Sequence, residues 1–80
     1  MGVYTKGLYK GEEIMTQVGE GRWADRYNDV FITVRRLGKY TVSYEVSERR
    51  PGNEHVVWAS FAGAKKFKAW ALAERLAERN

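Results

Sequence analysis

Tyr40-Thr41-Val42-Ser43-Tyr44-Glu45-Val46 changes character at every residue. Successive side chains of a strand point to opposite faces. The period of two therefore predicts a half-buried antiparallel strand, with Tyr40, Val42, Tyr44 and Val46 against a core and Thr41, Ser43 and Glu45 outside. Upstream, Val30-Phe31-Ile32-Thr33-Val34-Arg35 is rich in β-branched residues, which fit a pleated surface. It places Val30, Ile32 and Val34 on one face and Phe31, Thr33 and Arg35 on the other. Leu37-Gly38-Lys39 reads as a tight connection between the two strands. Pro51-Gly52-Asn53 forces the next turn, and residues 56–59 read as the third strand of a meander.

Beyond that meander the period changes. At 100° per residue, Ala69, Leu72, Ala73, Leu76 and Ala77 share one arc, flanked by Trp70, which predicts an amphipathic helix over residues 63–78. Ser60 is positioned to cap it. Alanines let the helix lie close to a sheet, while leucines and aromatics, Phe67 among them, fill the gaps. Toward the amino end, residues 14–18 read as a short strand, Gly19-Glu20-Gly21 as a turn and Arg22-Trp23-Ala24 as the returning strand. Residues 25–29 are turn-like. Residues 1–12, with Gly2, Gly7 and Gly11, read as a flexible arm or a weak edge strand. Strands first and one helix last predict an α+β fold: an antiparallel sheet of three to five strands with a C-terminal helix packed on one face. Eighty residues make one small domain.

With no cysteine there is no disulfide or thiolate staple, so the core rests on packing, and eleven aromatics (three Trp, five Tyr, three Phe) are present to supply it. Absence of cysteine fits a reducing cytoplasm. The amino end lacks the apolar run of a signal peptide, and no stretch approaches the ~20 apolar residues of a spanning helix. Lys6 stands where a myristoylation motif needs Ser or Thr. The helix face is too alanine-rich to insert into a membrane surface.

Catalytic constellations are missing from the sequence. His55 is the lone histidine, so neither a nucleophile–base pair nor a histidine-based metal site can be assembled. Glu12-Glu13 and Glu74/Glu78 have no device to separate two carboxyl pKa values. Gly19-x-Gly21 is too short for a dinucleotide loop. The sequence thus predicts a non-enzymatic protein with no cofactor and no metal.

Charge is the informative remainder. Residues 1–30 carry four basic and five acidic side chains, residues 31–80 ten basic and five acidic, so the second part holds all of the net +4. Such asymmetry points to a polyanionic partner. Lys65, Lys66 and Lys68 open the helix, where unpaired N–H groups and the macrodipole favour acidic side chains instead. Lys65, Lys68, Arg75 and Arg79 fall on one flank of the helical wheel, Glu74 and Glu78 on the other. Arg35, Arg36 and Lys39 flank the first hairpin turn, and Arg49 and Arg50 sit in the next. Trp58 joins the outer face of the sheet in one register. Basic side chains interleaved with aromatics on an antiparallel sheet suit the DNA major groove.

Val34-Arg35-Arg36, Gly38-Lys39-Tyr40, Val57-Trp58-Ala59-Ser60-Phe61 and Ala69-Trp70, within residues 31–77, together resemble the AP2-type DNA-binding domain and its relatives, the amino-terminal arm-binding domains of phage and transposon integrases. The resemblance implies three antiparallel strands on one C-terminal helix, with the sheet in the major groove and a phage or mobile-element setting. It matches Arg35, Arg36 and Trp58 to positions that touch bases or backbone. The expectation is a small cytoplasmic DNA-binding accessory or regulatory protein using Arg35, Arg36, Lys39, Arg49, Arg50, Trp58, Lys65 and Lys68. The alternative is a protein-interaction module, such as a small phage-type inhibitor or adaptor, acting through Trp23, Tyr27 and Phe31 or through a sheet edge. A homodimer through that edge is a third expectation, because an unpaired strand invites a partner.

Overall fold

Each hairpin signal in the sequence closes the next strand onto its predecessor, and the result is a five-stranded antiparallel meander of order β1-β2-β3-β4-β5. The computed structural model describes residues 14–79; the arm expected over residues 1–12 lies outside them. The strands are β1 (Thr16–Gly19), β2 (Arg22–Ala24), β3 (Val30–Arg36), β4 (Val42–Arg50) and β5 (Glu54–Ala62). A 3-10 turn, Gly63–Lys65, then leads into α1 (Lys66–Arg79). The fold is α+β, with one helix across one face of an antiparallel sheet.

Turn chemistry explains the reversals. In the β2–β3 loop, Asp25 Oδ1 accepts hydrogen bonds from the N–H groups of Asp29 (2.7 Å) and Val30 (3.1 Å). The Asp25 N–H donates to the Val30 carbonyl at 3.0 Å. After Pro51, Gly52 and Asn53 take left-handed φ values of +86° and +64°, which glycine and asparagine tolerate best.

Register fixes the faces. Ile32 pairs with Val46 and Trp23, Val34 with Tyr44, and Val30 with Glu48. Val30, Ile32 and Val46 are fully buried with Met15, Ala69, Ala73 and Leu76. Each such aliphatic side chain contributes about 1.5–3 kcal/mol on leaving water. Ala69 and Ala73 let the helix approach the sheet, and Trp70 fills the flank. Its ring meets Trp23 edge-on at 4.9 Å and Tyr44 at 5.7 Å, geometries that add about 0.5–1.5 kcal/mol per pair.

Five expectations change. Tyr40 does not face the helix: it is 88% exposed. The Leu37 and Gly38 N–H groups both donate to the Thr41 carbonyl, which closes a five-residue loop and delays β4 to Val42. Ser43 lies on the outer face yet is buried, its short side chain set between the positions of Arg35 and Ala62. Ser60 is not a cap. It lies in β5 opposite Glu45, and the helix start follows Ala62 with no side-chain cap hydrogen bond. Phe67 points to solvent and Leu72 is only half-buried. Finally, Trp23, Tyr27 and Phe31 form no exposed cluster. Trp23 packs beneath the helix, Phe31 is buried on the opposite face under Arg22, and only Tyr27 is exposed.

Candidate nucleic-acid interface

The β3–β4 hairpin reaches past its neighbours. On one side the sheet ends at Gly21, whose carbonyl accepts from the Val34 N–H at 2.8 Å. On the other side β5 ends with Ala62 opposite Ser43. The hairpin continues through the Arg36–Val42 pair to a tip formed by residues 37–41. Arg35 and Arg36 stand at its base, on opposite faces. Lys39 Nζ lies 5.5 Å from the Tyr40 ring centroid.

The helix begins at this same end. Gly63 follows Ala62 directly and packs on Val42, so closely that a Cβ there would sit 3.0 Å from Val42 Cγ2. Any side chain there would need Val42 to give by a few tenths of an ångström. Arg35, Ser43 and Ala62 occupy one cross-strand row, which puts Ala62 about 10 Å from Arg35 at ~4.8 Å per strand. Lys65, Lys66 and Lys68 are all exposed, and the first turn holds no acidic side chain. The first N–H groups of a helix have no intrahelical partner, and here no side chain caps the start.

Charge therefore gathers. This end carries Arg22, Arg35, Arg36, Lys39, Lys65, Lys66 and Lys68 against Glu20 and Glu45. The other charged residues of those described number five basic and six acidic. Residues 1–13 add two lysines and two glutamates. The excess positive charge thus lies at one end. Its pairing is loose: Arg35 Nη1 lies 3.9 Å from Glu45 Oε2, with the arginine exposed and the glutamate partly covered. Large apolar side chains stand among the cations. Leu37 is 66% exposed and Phe67 65%.

Comparison with protein-family models, with curated proteins and with solved structures finds no match to this chain.

Arg49, Arg50 and Trp58 are not part of this end. Arg49 and Arg50 end β4 beside the β4–β5 turn, about 26 Å from Val42 at ~3.3 Å per residue, and Trp58 lies in β5 between the partners of Val46 and Ser47, about 15 Å from Val42 on the same rise. There each charge is locally answered. Arg49 Nη2 bonds Asp29 Oδ1 at 3.1 Å, and Arg50 Nε lies 3.6 Å from Glu48 Oε1. Trp58 Nε1 donates to Glu48 Oε1 at 3.0 Å, and the Arg50 guanidinium lies 5.7 Å from the Trp58 ring centroid. Glu48 is on the helix side of β4, so Trp58 reaches the helix side and not the outer face. With Asp29 and residues 51–53, Glu48, Arg49 and Arg50 line an open groove of about 440 Å³.

The eight residues singled out in the sequence thus divide into a basic cluster of five and a neutralised group of three. Lys66, Leu37, Tyr40 and Phe67 join the cluster. The signal for the division was present in the sequence: successive hairpin turns of a meander lie at alternate ends of the sheet. Among the described residues, no helix is long and apolar enough to cross a membrane.

Proposed function

We propose that this protein is a small nucleic-acid-binding accessory or regulatory protein that grips duplex DNA with its hairpin tip and helix start. The supporting observation is the meeting of two segments distant in sequence, residues 35–39 and 63–68, into one end that holds all the excess charge. Duplex DNA carries a negative charge about every 1.7 Å of axis.

In this reading Lys65, Lys66 and Lys68 neutralise phosphates, beside backbone N–H groups that themselves attract anions. These contacts position the protein without reading sequence. A two-stranded hairpin fits the major groove, which is about 12 Å wide. Arg35, Arg36 and Lys39 then approach base edges, where arginine pairs with guanine O6 and N7. Leu37 and Tyr40 supply apolar surface for thymine methyl groups. Arg35 gives up little on leaving Glu45, because their contact is long and the arginine is exposed.

The test is a titration of a mixed-sequence duplex by fluorescence anisotropy at several salt concentrations. Neutralising five or six phosphates gives a slope of log K against log salt of about −5. A slope near zero, or no binding at low salt, rejects the reading. One observation favours a protein partner in that event: Leu37, Tyr40 and Phe67 are exposed amid the cations, as suits an acidic protein surface with an apolar centre.

A further inference from the structure

The two edges of the sheet are unlike. β1 has four residues, a register shift between Gln17 and Gly19, and a glycine at its end. Short, irregular edges are poor templates for another strand. β5 has nine residues, Glu54–Ala62. From His55 to Ala62 it contains no Lys, Arg, Asp, Glu or Pro, although 30% of the chain is charged. Among the described residues no strand pairs with its outer side. Val57 is 56% exposed there, and Ser60 is exposed too. Natural edges are usually blunted by charge, proline, brevity or a bulge; β5 has one register irregularity, at Trp58, and none of the other three.

We propose that β5 pairs antiparallel with β5 of a second copy, joining two sheets into one of ten strands around a two-fold axis. Three observations select a second copy as the occupant. First, the strand meets its own copy without like charges facing each other, since its one charged residue, Glu54, is terminal. Second, antiparallel pairing brings Glu54 to the Ala62 end of the second copy. There the chain continues into Lys65 and Lys66, so the ends of the paired strands are opposite in charge. Third, each protomer has one long edge free of interior charge, because β1 has only four residues. An isologous contact through a single edge closes at two copies and does not extend into a fibre. The basic ends then point in opposite directions along the strands, and both stay open.

The interface of one strand pair is at the small end of specific interfaces. Sedimentation velocity on the full chain, without DNA, from about 10 μM to about 1 mM covers the affinities such an interface supports. Val57→Lys and Ser60→Lys are the variants. Both side chains lie on the outer face, opposite Ser47 and Glu45, outside the core, and circular dichroism checks that the fold is kept. Concentration-dependent dimerisation is expected, with the dissociation constant raised at least tenfold in each variant. Amide exchange in β5 should slow as wild-type concentration rises and should not respond in Val57→Lys. A wild-type monomer across the whole range overturns the proposal. So does a Val57→Lys protein that dimerises equally well. Slow β5 exchange in dilute monomer also overturns it, because another part of the chain would then cover the edge.

Discussion

Reversing charge at the start of α1 should make the protein more stable and a poorer DNA binder at once. Lys65 closes the 3-10 turn and Lys68 is the third residue of α1. Both are exposed, and the first turn offers no acidic residue to the macrodipole. An exposed charge near a helix end is worth about 0.3–1 kcal/mol at low salt. Lys65→Glu with Lys68→Glu removes two unfavourable charges and adds two favourable ones, so even the lower figure gives roughly 1 kcal/mol. In a domain of this size that raises Tm by about 4–8 °C. The gain should fade in 1 M salt, where the Debye length is about 3 Å. Two lost phosphate contacts reduce the salt slope by about 1.8, so affinity at 0.1 M salt falls about sixtyfold. Differential scanning calorimetry and a duplex titration on the same preparation read both effects. If Tm falls in low salt, the description of the helix start is wrong. If Tm rises while duplex affinity is unchanged, the lysines stabilise nothing in the complex and the DNA reading fails.

Two further outcomes follow from the packing. Gly63→Ala relieves unfolded-chain entropy worth about 0.4–1 kcal/mol but presses a methyl group onto Val42 Cγ2 at 3.0 Å. Overpacking costs about 1–3 kcal/mol, so urea unfolding should show a net loss, and adding Val42→Ala should recover part of it in a double-mutant cycle. Asp25 is 4% exposed and its Oδ1 holds two backbone N–H groups, while Oδ2 has no partner among the described residues. Asp25→Ala orphans both N–H groups and should cost about 1–3 kcal/mol. Asp25→Asn keeps an acceptor for them and should cost less; equal losses in urea unfolding would contradict the capping role.

The fold was legible where period and turn agree. Residues 30–35 alternate in one phase, residues 42–46 alternate in one phase, and the helical arc through Ala69, Ala73 and Leu76 is the buried one. Tyr40 misled because Tyr and Thr suit a strand, and nothing in the sequence marks where the Thr41 carbonyl closes the loop. Ser60 resembled a cap because the position of a helix start depends on how far β5 stays paired with β4. The candidate site was half legible. Composition identified the cations, but their grouping depends on which end of the sheet each loop occupies. Arg49 finds Asp29 from the β2–β3 loop, which no spacing rule brings near, whereas Glu48 and Arg50 are two apart on one face of β4. The exposure of Phe67 had no sequence signal, since it resembles an ordinary core residue, whereas Leu37 already stood in a tight connection.

The irregularity in β5 has an evolutionary side. Ser47 pairs with Val57 and Val46 with Ala59, which leaves Trp58 as an extra residue between them. The inward and outward positions of β5 are therefore counted separately on its two sides. Loss of that one residue would bring Val57 and Ala59 together opposite Ser47 and Val46 and leave a regular ladder with every other face unchanged. A residue gained between Ala59 and Gly63 would instead exchange the faces of one part of the strand, because a slip of one residue does so. The chain would then hand its helix to the wrong side of the sheet. A lineage carrying this domain should accept insertions and deletions freely at residues 51–53, tolerate loss of Trp58, and almost never gain a residue between Ala59 and Gly63. Length variation among any descendants is thus a record of where parity matters, readable from gaps alone.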